Sequence, residues 1–368
     1  MNILVTGSDG FIAKNLTTHL LHSFKYNILT INKKSSDQDL YKKLAIADIV
    51  FHLAGVNKEI YPGHTYENNY NFTKKICLFL EKKCKKTKII YASSTQVKLN
   101  NSYGKSKLKA EKILLNYKKK TGAHVLIYRL PNVFGKWSKP YYNSAVATFC
   151  HQVHREEKIT ISVPKKKISL LYIDDLVSDF LTKIKSNKKE ISFVKIKNVF
   201  LITLLNLVNV IRSFKTKDKI YLPNNVSNPL IKNLYSTYIS FFSKKDFTYK
   251  LKRFSDKRGY FSEFLKNPDF GQVSFLSILP KQIRGNHYHH TKTEKFLVIT
   301  GKARFNFINI INKKRFFILA DENDNLVVNT IPGWAHNIEN IGNKETKILV
   351  WSNEILDKNK PDTFFYKV

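Results

Sequence analysis

Residues 1–13 read MNILVTGSDGFIA: a short apolar strand, Asn2–Thr6, runs directly into a glycine turn and then into a helical pattern that continues through Leu21. A strand, a glycine turn and a helix N-terminus aim backbone N–H groups and the positive end of a helix at a pyrophosphate. Gly7 and Gly10 take the turn and close-approach positions, and Phe11 and Ile12 open the helix. Ala13 stands where a third glycine would let helix pack on strand, a place a small side chain also suits. The next apolar run, Asn27–Ile31, ends in Asn32-Lys33-Lys34. An acidic residue at that point would bind an adenosine ribose; the two lysines favour a 2′-phosphate instead, hence NADPH.

Working outward, apolar runs at residues 46–53, 87–92 and 125–130 alternate with helical stretches. This predicts a parallel sheet covered on both faces, doubly wound by right-handed crossovers. The chain's 368 residues exceed one ordinary core, so two domains are expected, residues 1–245 and 246–368. The formal net charge of +35 raises a nucleic-acid partner, but the lysines lie in short scattered runs such as Lys118 to Lys120 and Lys165 to Lys167. With no stacking aromatics or recognition helix beside them, they read as solvated surface. Cys77, Cys84 and Cys150 form neither a CxxC pair nor a disulfide framework and read as packing residues in a reducing cytoplasm. Nothing at the N-terminus has the layout of a secretory signal. The most apolar run, residues 199–211, is too short to span a bilayer and contains Asn206 and Asn209; it reads as a buried helix started by Thr203, with no membrane insertion.

Chemistry enters at Tyr103-Gly104-Lys105-Ser106-Lys107, where Tyr103 and Lys107 share a helix face. A phenol is a poor acid at neutral pH, and a neighbouring ammonium is expected to lower its pKa. Tyr103 then serves as general acid when a hydride reaches a carbonyl carbon, with Ser94 holding the carbonyl oxygen. Taken in order, Thr6-Gly7-x-x-Gly10, His52-Leu53-Ala54-Gly55, Ser93-Ser94, Tyr103 to Lys107, Arg129-x-x-Asn132-Val133-Phe134-Gly135 and Tyr172-Ile173-Asp174-Asp175-Leu176 resemble the extended short-chain dehydrogenases that act on nucleotide sugars. The resemblance covers about residues 1–240. It implies a Rossmann domain, cofactor contacts from Leu53, Ala54, Gly55, Tyr103 and Lys107, a sugar nucleotide near Arg129 and Asn132, and support from Asp174 behind the site. Thr95 and Gln96 follow Ser94 where sugar dehydratases of this family carry an acidic pair. Dehydration is therefore disfavoured, and net ketone reduction with an exchangeable NADPH fits best.

From about residue 246 the pattern changes to short strands with turns (272–278, 296–300, 303–308, 316–319, 326–328, 346–351), which predicts an all-β barrel or sandwich. His287 and His289 fall on one strand face, Glu294 enters the next strand, and His336 follows Pro332-Gly333 on a later one. Three imidazoles and a carboxylate suit Zn, Fe, Mn or Ni. The spacing H-x-H-x₄-E-x₆-G, ending at Gly301, and P-G-x-x-H-x₃-N, ending at Asn340, resembles the two cupin motifs. Departures at Gly285 and Pro332 concern turns and leave the ligands intact. Asp256 to Glu263 and Arg284 to His287 resemble deoxysugar-nucleotide 3,5-epimerases, implying substrate contacts from Arg258, Glu263 and Arg284. That second resemblance would also make His287 a base; the complete ligand set favours coordination, leaving the base among Tyr288, His290 and Lys295.

The order of reductase then cupin resembles bifunctional capsule-synthesis enzymes of the CapF type across essentially the whole chain, including residues 129–137, 143–150, 234–238, 285–301 and 361–363. It implies a UDP-sugar substrate, epimerisation at C3 of a 4-keto sugar with Zn²⁺ in the cupin, reduction at C4 by NADPH, and a homodimer. Two other readings are a monofunctional reductase with a structural or dimerising cupin, and a sugar-responsive regulator; an intact Ser94, Tyr103 and Lys107 weigh against the regulator.

Overall fold

The structure, a computed structural model, describes residues 1–22, 25–59, 65–186, 192–216, 218–357 and 359–368. Its first part alternates β1 (Asn2–Thr6), α1 (Phe11–Leu21), β2 (Asn27–Ile31), α2 (Asp37–Ile46), β3 (Ile49–His52), α3 (Glu67–Lys82), β4 (Lys88–Ser94), α4 (Ser102–Thr121) and β5 (Val125–Leu130). The strands are parallel in the order β2-β1-β3-β4-β5. The chain steps outward from β1 to β2, then reverses to β3, and such a reversal opens a crevice at the carboxyl ends of the strands. The glycine turn, His52 to Gly55 and Ser94 all sit at those ends.

Both sheet faces are covered, as continuous apolar strands require. Ile3, Val5, Phe51 and Ile90 pack with Leu16 and Leu20 on one side, while Leu4, Val50, Ile89 and Tyr91 pack with Leu44, Leu80 and Leu114 on the other. The helix that carries Tyr103 is started by Asn101, whose side chain accepts from the Gly104 N–H at 2.7 Å; loss of such a cap costs about 1 kcal/mol.

The chain continues through β6 (Asn132–Phe134), α5 (Ala145–Arg155), β7 (Lys167–Tyr172), α6 (Ile173–Lys185), β8 (Val199–Thr203), α7 (Leu204–Ser213) and α8 (Pro229–Ile239). The buried helix expected to start at Thr203 is observed, with the Thr203 side chain accepting from Asn206 N. The first five residues of the run at 199–211 are instead a strand, paired antiparallel with β7. An apolar run of this length carries no period that separates a buried strand from a buried helix. Of the cysteines, Cys77 and Cys150 are buried, whereas Cys84 is exposed. No helix among the described residues is long and apolar enough to cross a membrane.

The last part is all β: β9 (Phe254–Asp256), β10 (Gly259–Asn267), β11 (Gly271–Ile278), β12 (Ile283–Tyr288), β13 (Glu294–Thr300), β14 (Lys302–Asn309), β15 (Arg315–Asp321), β16 (Val327–Thr330), β17 (Trp334–Asn340), β18 (Thr346–Ser352) and β19 (Phe364–Phe365). Two antiparallel sheets form, β16-β13-β18-β11-β10-β9 and β15-β14-β17-β12-β19. Inward residues of both, among them Phe296, Val298, Phe305, Ile338 and Ile348, make one core. Truncating a buried ring such as Phe305 to alanine costs about 3–5 kcal/mol.

By compactness the chain divides into Met1–Lys215 with Lys232–Phe242, and Thr216–Ile231 with Ser243–Val368. The 216–231 segment joins the β part because Leu222 N donates to Lys266 O, Lys266 N to Ile220 O, and the Asn267 side chain to Pro223 O. The polypeptide thus passes between the units more than once, which a single boundary between 245 and 246 does not express.

Candidate functional site

In the first unit the glycine turn and the end of β3 are built against each other. Gly7 has φ +68°, and a Cβ there would lie 2.6 Å from Ala54 Cα. Ser8 N donates to Ile31 O at 3.1 Å, joining the turn to the end of β2, where Lys33 and Lys34 are exposed. Beneath the turn, His52 bridges Thr6 and Thr73, each 2.9 Å from a ring nitrogen. Burial, and then the charge of Lys107, lower its pKa to about 3, so it is a neutral strut.

Ser94 ends β4, and Tyr103 and Lys107 stand a turn apart on α4. The Tyr103 hydroxyl donates to Asn57 Oδ1 at 3.1 Å and shares a hydrogen bond with Ser94. Lys107 is 4% exposed; its Nζ donates to Ala92 O at 2.9 Å and lies 4.9 Å above the Tyr91 ring. A Cβ on Gly55 would sit 3.0 Å from that nitrogen, so a larger residue there would press on the ammonium.

The expected depression of the tyrosine pKa is not found. Burial pushes Tyr103 up to about 12, against the opposing pull of the Ser94 hydrogen bond. The phenol therefore keeps its proton at neutral pH and has it to give. Burial lowers Lys107 to about 8, and Glu111 opposes this.

Glu111 was not singled out in the sequence, although it lies four residues beyond Lys107 on the same helix face. It is 1% exposed, accepts from Ser93 Oγ at 2.6 Å, and holds Arg129 through Nε at 3.0 Å and Nη2 at 2.6 Å. Arg129, expected near the sugar nucleotide, is held by Glu111, and its guanidinium lies over Phe193, 4.4 Å from the ring centre, with part of the side chain still exposed. A buried carboxylate requires such a partner. Asn132 donates to Ser169 O and is exposed. Asp174 binds His19 at 3.0 Å and Lys136 at 2.6 Å, tying α6 to α1 and to the loop after β6.

In the second unit His287, His289, Glu294 and His336 come together with ligand atoms all within 4.8 Å of one another, three of the four residues buried. Four ligands about 2.1 Å from one ion at tetrahedral angles stand about 3.4 Å apart; Glu294 Oε2 is 3.2 Å from His289 Nε2 and 3.4 Å from His336 Nε2. His289 Nδ1 faces the main-chain oxygen of Asp362, an acceptor only, so Nδ1 carries the hydrogen. In the neutral ring Nε2 then presents a lone pair to the Glu294 carboxylate, and two facing lone pairs ask for a cation between them. His336 Nδ1 is buried without a partner. Burial, then the neighbouring His336, lower His287 to about 3, the neutral form a ligand needs. Burial pushes Glu294 up, but its surroundings, His289, His336 and the charge of Lys292, outweigh it and hold the carboxylate ionised. The residues fit a divalent metal.

The three residues left open as proton carriers do not face this cluster. Lys295 is exposed and donates to Asn329 on the strand face opposite Glu294. Tyr288 alternates with His287, and both it and His290 pack on Phe364, ring centres 5.4 and 4.8 Å away. The basic group at the cluster is instead Lys292, with Nζ 3.4 Å from Glu294 Oε1. Arg258 and Arg284 are brought together on Asp256, at 2.7 and 3.0 Å, and the Arg258 hydrogen bond heads the causes that lower Asp256 to about 2. Glu263 stands apart, paired with Lys266 at 2.7 Å across a break in strand register.

A parallel-sheet unit with Ser, Tyr and Lys at its crevice, joined to a β unit with a ligand cluster, defines a nucleotide-dependent enzyme of the epimerase and reductase class. The chain belongs to the NAD dependent epimerase/dehydratase family, which it matches over residues 3–194, and residues 254–364 match the polysaccharide biosynthesis C-terminal domain. It is 38% identical over 364 residues, 99% of this chain and 98% of the other, to a UDP-2-acetamido-2,6-beta-L-arabino-hexul-4-ose reductase of Pseudomonas aeruginosa. The capsular polysaccharide assembling protein CapF of Staphylococcus aureus is 37% identical, with all of both chains covered and a TM-score of 0.91. A UDP-glucuronic acid 4-epimerase of Bacillus cereus, 21% identical over 65% of this chain and 98% of its own, shares the fold of the first unit with a TM-score of 0.56.

Proposed function

We propose that the chain is a bifunctional nucleotide-sugar enzyme. Its cupin unit epimerises C3 of UDP-2-acetamido-2,6-dideoxy-β-L-arabino-hexos-4-ulose, and its first unit reduces the C4 ketone to UDP-2-acetamido-2,6-dideoxy-L-talose. That product leads toward UDP-N-acetyl-L-fucosamine and capsule or O-antigen polysaccharide. The observation that carries this reading is the presence on one chain of Ser94, Tyr103 and Lys107 in the crevice of one unit and of His287, His289, Glu294 and His336 in the interior of the other.

When bound, NADPH supplies the hydride and Zn²⁺ the positive charge that favours an enolate. Ser94 holds the C4 oxygen, and Tyr103 delivers its retained proton to that oxygen as the carbon is reduced. Lys107 fixes the cofactor ribose and keeps a positive charge beneath the phenol. In the cupin, Glu294 and the three histidines hold the cation, Lys292 adds charge beside it, and Arg258 and Arg284 present guanidiniums on Asp256 to the diphosphate. Lys33 and Lys34 support NADPH over NADH. The working unit in this reading is a homodimer, and its place is the cytoplasm.

The Pseudomonas relative is named for reduction alone, which favours a second reading: a monofunctional reductase whose cupin is structural. Incubating the keto sugar in deuterated water without NADPH separates the two. Deuterium at C3 supports the bifunctional enzyme; a C3 position that stays protonated sinks it.

A further inference from the structure

The metal-ligand segment is held from outside by residues far along the chain. β19 pairs with β12, His287 opposite Phe365 and Tyr288 opposite Phe364, and Tyr366 N donates to Asn286 O at 2.9 Å. Just before that strand, Asp362 does two things. Its carboxylate accepts the N–H groups of His290, Thr291 and Lys292 at 2.9, 2.7 and 2.8 Å and the Thr291 hydroxyl at 3.0 Å. Its main-chain oxygen takes the Nδ1 hydrogen of His289.

These contacts converge on the geometry a cation needs. The short connection between His289 and Glu294 has no regular structure of its own, and its successive N–H groups are turned onto one carboxylate. That fixes the path of the chain between two ligands and brings Lys292 to Glu294. The carbonyl sets the tautomer of His289, so that Nε2 faces Glu294 and His336 with its lone pair. An acceptor behind a ligating imidazole raises its basicity and fixes its ring.

We propose that Asp362 is a positioning residue of the cupin metal site, making the 361–366 segment a clamp that presets His289 and the 290–292 connection for a divalent cation. The proposal rests on the metal reading of the cluster. A strand that merely closed the sheet edge would need the β12 pairing but not the carboxylate bound to three successive N–H groups.

The test uses the full chain, stripped of metal, titrated with Zn²⁺ against a chromophoric chelator. Asp362→Ala is expected to bind Zn²⁺ about 10- to 100-fold more weakly, and Asp362→Asn, which keeps one acceptor oxygen and the side-chain volume, to lose less. Should the alanine variant lose its circular dichroism, the asparagine variant decides. Melting of the metal-free chains distinguishes clamp from scaffold: Asp362 variants that melt lower yet bind Zn²⁺ like the wild type overturn the proposal. A wild-type chain that takes up no Zn²⁺ would sink the metal reading itself, whereas wild-type binding with unaltered Asp362 variants would sink only the clamp.

Discussion

Replacing Glu111 by glutamine probes how the reductase site keeps its lysine charged. Lys107 is buried, which lowers its pKa to about 8, and Glu111 is the group that opposes that fall. The other groups around the ammonium do not substitute for it: Ala92 contributes a carbonyl, Tyr91 a ring, Tyr103 a phenol protonated up to about 12, and His52 is neutral above about 3. Side chains four apart on a helix face lie about 6 Å apart, and at an effective dielectric of about 20 a unit charge there contributes about 3 kcal/mol. That is about two pK units. The ammonium is the form present below its pKa, so wild-type kcat should be high at low pH and fall as pH rises through about 8. In Glu111→Gln that alkaline limb should move down by about two units, and kcat at pH 8 should drop about fiftyfold. The amide also leaves Arg129 and Ser93 less well satisfied, at about 1–3 kcal/mol of stability, less where Arg129 turns its part-exposed guanidinium to water. The assay is NADPH oxidation at saturating substrate across pH, with thermal melting alongside. An alkaline limb that stays at the wild-type position in a folded variant would show that Glu111 serves packing alone.

Tyr103→Phe should lower NADPH oxidation about 10²- to 10⁴-fold, the usual worth of a positioned acid, while deuterium uptake at C3 persists; joint loss of both would refute separate sites. His287→Ala should release metal from the chain and abolish C3 exchange, and a variant that retains one metal per chain by elemental analysis would show the ligands to be misassigned. Lys33→Ala and Lys34→Ala should each raise KM for NADPH up to about fivefold, as an exposed ion pair of up to about 1 kcal/mol allows, and leave KM for NADH unchanged; an equal effect on both cofactors would remove the 2′-phosphate argument.

Asn2–Thr6 and Val125–Leu130 were legible because nearly all their residues are buried, so the apolar run ends where burial ends, and the edge strand Asn27–Ile31, mostly part-exposed, is also observed at the expected bounds. In the run at 199–211 Thr203 marks the start of the helix, but the strand ahead of it is equally apolar and nothing in the pattern separates it from the helix. The ligand cluster could be read because its four members fall in two short spaced motifs. What escaped were residues whose role depends on distant partners. Asp362 reaches a connection some seventy positions earlier. The partner of Arg129 is a carboxylate on another element, Glu111, and strand parity, invisible until β13 was placed, turned Lys295 outward.

The chemistry of the substrate orders the two proposed reactions more strictly than any arrangement of sites could. A hydrogen on C3 is acidic only while C4 is a ketone, because the negative charge left by deprotonation is delocalised onto the C4 oxygen. Once Tyr103 has protonated that oxygen and the carbon has been reduced, the C3 position is locked. Epimerisation must therefore precede reduction, and a slow reductase would release a mixture of C3 epimers as ketones rather than as alcohols. It follows that discrimination between the C3 epimers has to lie in the reductase crevice, among the groups that hold the C4 oxygen against Ser94 and Tyr103. The cupin, by returning protons to either face, supplies both epimers and needs no preference of its own.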